Sequence, residues 1–186
     1  MLKKIVTTLM ALCLVVAALV PAFAETAQAP EKKVINWDAE RQQQFADAGY
    51  AGEFKVFGSS NISVMIPNDF QQGTLTEESL ASGTMAAFLK ADGSMIAIAQ
   101  SKPAGGVTFH SMDEVEEMAR KGDPNGNFQR AVVNGLEVLI YIMPEKDVST
   151  IMTLLDNGEL FTVNCAKLSA NKVLYSFVAS SLQIKK

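Results

Sequence analysis

The sequence predicts an α+β fold: a mostly antiparallel β-sheet built from hairpins, with helices packed on its faces. Three turn signals, Asp92-Gly93, Asn134-Gly135 and Asp156-Asn157-Gly158, each separate two apolar runs of strand length. Glycine adopts the positive φ that tight hairpin turns require, so each signal predicts a hairpin. Two segments with helical spacing of apolar residues, one after the second pair of strands and one at the C-terminus, provide the helical layer.

The chain begins with the three-part pattern of a secretory signal peptide. Lys3 and Lys4 precede an apolar stretch over 5–20, and Ala22-Phe23-Ala24 places small residues where a signal peptidase needs them. This stretch is shorter than the roughly 20 apolar residues that span a bilayer. We therefore expect residues 1–24 to be removed after Ala24, with no membrane span afterwards and export to a periplasm, a cell surface or the medium.

The remaining chain has the composition of a folded domain that follows a short polar leader. Residues 25–36 predict a flexible leader, and 37–186 predict a single α+β domain. The full chain has a net charge of −4, and removal of Lys3 and Lys4 makes it −6. Nucleic acids and anionic membrane surfaces select for clustered Lys and Arg, so this acidic balance argues against both as partners.

The first half of the domain predicts one short helix and four strands. Asp38 can cap a helix over 39–48, which Gly49 ends. Alternating or apolar runs then predict the four strands. Their expected bounds are 54–57, 62–66 (stopped by Pro67), 84–90 and 95–100.

The second half predicts a helix, four strands and a closing helix. Ser111 and Glu114 have the spacing of a capping box, in which the glutamate reaches back to the serine N–H, and Gly122 ends that helix. The strands are expected at 129–133, 136–143, 149–155 and 159–166. The last helix, over 170–182, is expected to bury Val173, Leu174, Phe177, Val178 and Leu182.

Two segments resemble a known superfamily. Ile62-Ser-Val-Met-Ile-Pro-Asn-Asp-Phe70 and the closing Leu174-Tyr-Ser-Phe-Val-Ala-Ser-Ser-Leu182 are similar to strand and helix patterns of the PsbP-like α/β/α sandwich superfamily, which includes a photosystem extrinsic subunit and a Ran-binding nuclear import factor. The resemblance covers about residues 54–184. It implies a non-enzymatic protein that docks on a larger partner, and it transfers no functional residue to this chain.

The chain lacks the sequence patterns that mark catalytic, cofactor or metal sites. Phosphate-binding glycine loops, G-x-S-x-G, H-E-x-x-H and paired zinc cysteines are absent from the sequence. His110, the only histidine, precedes the Ser111 cap without a local nucleophile or carboxylate pattern, so a surface position is favoured over catalysis. We therefore predict no catalytic, cofactor-binding or metal-binding residue and no cofactor.

Cys165 is the only cysteine after residue 24, so the domain cannot form an internal disulfide. It shares a strand face with Phe161 and Val163, where a free cysteine acts as a small hydrophobic residue. A structural, buried thiol is expected, with redox sensing as the alternative if it is exposed.

Three further oxygen- or sulfur-rich features have structural explanations. Asp123-Pro-Asn-Gly-Asn127 starts like a calcium loop, but its glycine comes at the fourth position and Asn134 replaces the bidentate twelfth ligand, so a turn is favoured. The acidic run Asp113, Glu114, Glu116 and Glu117 suits the positive end of a helix dipole. The methionines at 65, 85, 95, 112, 118, 143 and 152 fall on predicted strands and a helix stripe, which is typical of core filling.

These observations leave two classes of function. The favoured one is an exported, non-catalytic binding or interaction module that docks on another exported or envelope protein through an apolar patch or sheet face. The alternative is a small secreted enzyme or small-molecule binder whose site is assembled from distant loops. Self-association through an open sheet edge is a third possibility.

Overall fold

A computed structural model describes residues 32–58 and 61–185 of the chain. The expected signal peptide, its expected cleavage site and the larger part of the expected leader lie outside these residues. Among the residues described, no helix has the length and apolar character needed to cross a membrane.

The described residues form eleven strands and four α-helices. The strands are β1 (Lys33–Ile35), β2 (Gly52–Phe57), β3 (Ile62–Pro67), β4 (Gln71–Gln72), β5 (Thr84–Leu89), β6 (Met95–Ser101), β7 (Asn127–Val133), β8 (Leu136–Met143), β9 (Val148–Leu154), β10 (Leu160–Ala166) and β11 (Gln183–Ile184). The helices are α1 (Ala39–Asp47), α2 (Glu77–Ala81), α3 (Met112–Gly122) and α4 (Leu168–Ser180).

The strands divide into two sheets, whereas the sequence predicts one. The large sheet has eight strands in the order β1-β7-β8-β9-β10-β6-β5-β4, and the small sheet has three in the order β11-β3-β2. All pairings are antiparallel except β1 with β7. The predicted α+β class with a mostly antiparallel sheet is thus confirmed.

The hairpin turns form where the glycine signals predict them. Asn134 and Gly135 both have positive φ, +50° and +85°, as a tight two-residue turn requires. The Asn134 side chain also joins distant segments: its oxygen accepts from the Trp37 N–H at 2.6 Å, and its amide donates to the Ser180 and Leu182 carbonyls at 3.0 and 2.9 Å. This turn therefore fixes the start and the end of the domain beside the large sheet.

The large sheet has different neighbours on its two faces. The small sheet and α4 cover one face, where Phe57 of β2 meets Phe88 of β5 edge-on at 6.2 Å. Helix α3 packs on the other face, against β8 and β9. Its Met112 and Val115 join a second apolar cluster with Phe128 of β7.

The capping box that begins α3 differs from the predicted one in one bond. Ser111 Oγ accepts from the Glu114 N–H at 3.3 Å, as expected. Glu114 Oε2 accepts from the N–H of His110 at 2.8 Å, rather than from that of Ser111. The Glu114 side chain thus reaches one residue further toward the N-terminus, and it stabilises the loop that precedes α3 as well as the first turn of the helix.

Several expected boundaries are wrong. Lys33–Ile35, assigned to the flexible leader, form β1, because β7 offers them a parallel backbone partner that composition does not reveal. The closing helix ends two residues early, at Ser180, and Val173 is 56% exposed because it lies on the solvent side of α4. The short elements β4, α2 and β11 were not predicted.

Candidate functional site

Strand β2 is the one long outer strand among the described residues. Each sheet has two outer strands, and three of these four are short: β1 has three residues, while β4 and β11 have two each. Strand β2 has six residues and pairs only with β3. Short outer strands protect a sheet against further pairing, whereas a longer one presents a row of unpaired backbone groups.

The register identifies which backbone groups of β2 point outward. The Asn68 N–H donates to the Ala51 carbonyl at 2.8 Å, and the next pair, Gly52 with Pro67, lacks the proline donor. Antiparallel pairs alternate between hydrogen-bonded and non-hydrogen-bonded. Gly52, and every second residue after it, therefore directs its N–H and C=O away from β3.

Besides Gly52, both Phe54 and Val56 thus direct their backbone groups toward the free edge. A hydrogen bond of β3 supports this assignment. Met65, which pairs with Phe54, donates its N–H to Ser181 Oγ at 2.9 Å, on the side of β3 that faces away from β2. An extended segment placed beside β2 would find a donor and an acceptor at both positions.

The side chains of Phe54 and Val56 lie on the outer face of the small sheet. Phe57 points inward to the large sheet, and side chains alternate along a strand, so positions 54 and 56 point outward. Phe54 is 38% exposed and Val56 is 42% exposed. With the half-buried Trp37 and Met65, they form an apolar surface at the free edge, here called the β2 surface.

Aromatic packing supports the β2 surface from beneath. Trp37 meets Phe54 edge-on at 6.0 Å and Phe177 of α4 at 6.5 Å, and Phe45 of α1 lies 5.0 Å from Phe177. Edge-to-face aromatic contacts of this kind are each worth about 0.5–1.5 kcal/mol beyond area burial. The exposed ring of Phe54 therefore sits on a fixed support that joins three elements.

His110 lies at the surface, directly before the cap of α3. The residue is exposed in the loop before α3, and its backbone N–H is bonded to Glu114. Its imidazole makes no hydrogen bond or ion pair with another described residue.

Cys165 is fully buried on the face it shares with Phe161 and Val163, as predicted. Burial raises the pKa of its thiol far above the ordinary range, which outweighs the opposite effect of a hydrogen bond with Ser149. The neutral thiol therefore fills space in the core.

The Asp123–Asn127 segment is a turn stabilised by its own aspartate. Asp123 accepts from the Asn125 N–H at 3.3 Å and from the Tyr141 hydroxyl. Burial, together with this bond to Asp123, raises the pKa of Tyr141. Within residues 32–58 and 61–185, no three His, Cys, Asp or Glu side chains are grouped as a metal site would require.

Two of the four acidic residues of α3, Asp113 and Glu116, bind a buried arginine that the sequence did not single out. The Arg130 guanidinium, only 3% exposed, contacts Asp113 at 2.8 Å, Glu116 at 3.2 Å and Glu137 of β8 at 2.7 Å. The acidic run thus attaches α3 to the sheet in addition to matching the helix dipole. Arg130 lies at an inward-facing position of β7, a strand whose side chains point inward and outward in turn. A charged residue at such a position was the sign in the sequence that the arginine is buried.

The methionines have the structural role expected of them. Met95, Met112 and Met143 are buried in apolar clusters, and Met65, Met85, Met118 and Met152 are half-buried against such clusters.

No known protein-family profile matches the chain, and no curated protein matches it. Among solved structures, the solution structure of cyanobacterial PsbP (CyanoP) from Synechocystis sp. PCC 6803 is similar to it. The TM-score is 0.45 and the sequence identity 14%, and the match covers 72% of this chain and 92% of that chain. This similarity concerns the fold alone, and the PsbP-like superfamily stays a prediction from the sequence.

Proposed function

We propose that the chain is an exported, non-catalytic interaction module that binds an extended segment of another exported or envelope protein along the free edge of β2. The observation that carries this proposal is the coincidence, at one edge, of outward-facing backbone groups and exposed apolar side chains at Phe54 and Val56. Addition of a strand uses both, since the backbone bonds provide affinity and the side chains provide specificity.

Export is the part of the proposal that depends on the N-terminal segment. Cleavage after Ala24 leaves a mature protein that begins at Glu25. N-terminal sequencing of the protein isolated from its native host tests this directly. A chain that retains residues 1–24 in the cytoplasm would contradict export, and the partner class would then have to be revised.

Strand addition can be tested by removing one outward N–H without removing the strand. Val56→Pro deletes the N–H that faces the free edge and leaves the ladder to β3 in place, since proline is tolerated on the open side of an edge strand. Val56→Thr is the matched control, because it keeps the N–H and the branched shape. We expect affinity capture from the native cell envelope and medium to recover a near one-to-one partner with the wild type and the threonine variant, and to lose it with proline.

Two results would count against the proposal. Equal capture by the proline and threonine variants, with both folded by circular dichroism, would show that the outward N–H of β2 is not used. Recovery of a second copy of this chain instead of a different protein, with dimers in analytical ultracentrifugation, would replace the partner by self-association.

A further inference from the structure

Strand β2 carries two charged side chains on its inward face. Side chains alternate along a strand, so Glu53 and Lys55 share the face of Phe57, which meets the large sheet. Both charges lie at the free edge of the small sheet, because β2 is an outer strand. The inward side of this edge is therefore charged, whereas the outward side, which carries Phe54 and Val56, is apolar.

Neither charge is matched within the small sheet. The register places Glu53 opposite Ile66 of β3, which is 2% exposed. It places Lys55 opposite Val64, which is 0% exposed. Neither charged side chain forms a hydrogen bond or an ion pair with another residue in 32–58 or 61–185. A neighbouring strand could pair with both of them from the free edge.

The two charges decide which segments the edge accepts. Glu53 is exposed and Lys55 is half-buried, and a strand added beside β2 would cover both further. A charge that is removed from water needs a partner of opposite sign, and like charges directly opposite each other destabilise a strand pair. Inward-pointing charges on an outer strand thus reject segments that lack complementary charges.

The outward backbone groups of β2 define the spacing of such a pair. Phe54 and Val56 would form the hydrogen-bonded positions of an antiparallel pair, so Glu53 and Lys55 would occupy the positions without hydrogen bonds. Opposite Cα atoms are only about 4.5 Å apart at such positions, and the side chains approach closely. Each charge of β2 would therefore face one side chain of the added segment.

We propose that the segment bound by β2 runs antiparallel to it and has the order apolar, acidic, apolar, basic, read from its N-terminus. The acidic residue lies opposite Lys55 and the basic residue opposite Glu53. The apolar residues lie opposite Val56 and Phe54, on the outward face. This inference rests on the proposed function, since it specifies the partner of the same edge.

A second copy of β2 meets these requirements only in part. Two copies that pair about Phe54 would place Glu53 opposite Lys55, but they would also place Gly52 opposite Val56. Gly52 has no side chain to cover Val56, whereas a different segment can place an apolar residue there. A heterologous segment therefore covers more of the β2 surface, and self-association is the competing outcome.

Two peptides of identical composition test the order of the charges. Acetyl-Thr-Ile-Glu-Val-Lys-Thr-amide has the proposed order, and acetyl-Thr-Ile-Lys-Val-Glu-Thr-amide reverses it. Titration of the ¹⁵N-labelled protein with the first peptide is expected to give saturable shifts of the Phe54 and Val56 backbone amides. The first peptide should bind about tenfold more tightly than the second, because reversal turns two attractive cross-strand pairs into repulsive ones.

Exchange of the two charges of β2 links the preference to these residues. Glu53→Lys combined with Lys55→Glu keeps the net charge and should invert the preference between the peptides. If this variant does not fold, Lys55→Gln should reduce the preference to about threefold, because one of the two pairs is lost. Glu117→Lys combined with Lys121→Glu is the matched control, since this ion pair lies on the exposed side of α3, and the preference should be unchanged.

Four results would overturn the proposal. Equal binding of the two peptides, lost with Val56→Pro, would overturn the order of charges and leave docking at β2 intact. Tighter binding of the reversed peptide, or a preference unchanged by Lys55→Gln, would also overturn the order alone. Absence of saturable shifts with both peptides overturns it too, and the proposed function then fails as well if Val56→Pro leaves capture of the native partner unchanged. Dimers in analytical ultracentrifugation that Val56→Pro dissociates would replace the heterologous segment by a second copy.

Discussion

Arg130 shows how one buried charge organises its surroundings. Its guanidinium lies between Asp113 and Glu116 on α3 and Glu137 on β8, and Glu137 also accepts from Lys32 just before β1 at 2.8 Å. A buried charge is tolerated only when it is paired and hydrogen-bonded. The network thus joins α3, the large sheet and the segment just before β1 through the side chains of Arg130 and Glu137.

Replacing Glu137 tests this network through its pH dependence. The hydrogen bond from Lys32, followed by the charges of Lys32 and Arg130, lowers the pKa of Glu137. A lowered folded-state pKa adds stability above the unfolded-state pKa of about 4.3, and that stability is lost as the pH falls through the folded-state pKa. Glu137→Gln should therefore destabilise the protein near pH 7 by about 0.5–1 kcal/mol, a value already reduced for solvent screening because the side chain is 46% exposed.

The measurement is urea unfolding of both proteins in a series from pH 7 downward. The difference should shrink below the unfolded-state pKa and disappear below the folded-state pKa. Glu117→Gln is the control, since among the described residues Glu117 forms its ion pair with Lys121 alone, at 2.7 Å on the exposed side of α3. A pH-independent difference for Glu137→Gln would contradict the ionic origin of the effect.

The burial of Cys165 predicts that its thiol reacts slowly in the native protein. The thiolate is the reactive form, and burial both raises the thiol pKa and excludes reagent. Labelling of the native protein by a thiol reagent should be roughly a thousandfold slower than in urea, because it requires unfolding of the core. A cysteine introduced at the exposed position Ser176, in a Cys165→Ala background, should react at once. Rapid labelling of Cys165 in the native protein would contradict its burial.

At the level of elements, turn and cap chemistry decides where the helices and hairpins begin. Helix α3 is capped by its own Ser111. Helix α4 has no side-chain cap of its own, because Lys167 occupies the N-cap position with φ +64°. Asp147, in the turn between β8 and β9, supplies the missing cap. It accepts from the Ser169 N–H at 2.6 Å and from the Ser169 hydroxyl at 2.7 Å.

Ser111→Ala measures the contribution of the local cap. Its hydroxyl accepts from the Glu114 N–H, and loss of such a cap costs about 1 kcal/mol. Ser176→Ala, at an exposed position within α4, should change the free energy of unfolding by less than about 0.5 kcal/mol. Denaturant unfolding compares the two. Equal effects would show that the capping bond contributes little to folding.

Strong local signals explain why most elements could be predicted. The hairpins depend on Asn134-Gly135, Asp92-Gly93 and Asp156-Asn157-Gly158, which act within a few residues. Strands β1, β4 and β11 depend on distant partners: Ile35 pairs with Val133, and Ile184 with Ile62. Segments of two or three residues carry no periodicity that could reveal such pairings.

Across the whole molecule, the candidate site follows from how the two sheets are arranged. The alternation at Phe54 and Val56 predicts a strand, but only the sheet order shows that β2 is an outer strand. Sequence reasoning could identify the class of fold, while the β2 surface depends on long-range pairing.

The central claim is that β2 is the surface at which a partner binds. We would place a photo-crosslinking amino acid at position 56 and, separately, at the exposed position 173 of α4, and irradiate cells of the native host. We expect a single heterologous adduct from position 56, absent from position 173 and lost when Phe54 is changed to Lys in the same chain. Adducts from position 173 alone, or an adduct between two copies of this chain, would contradict it.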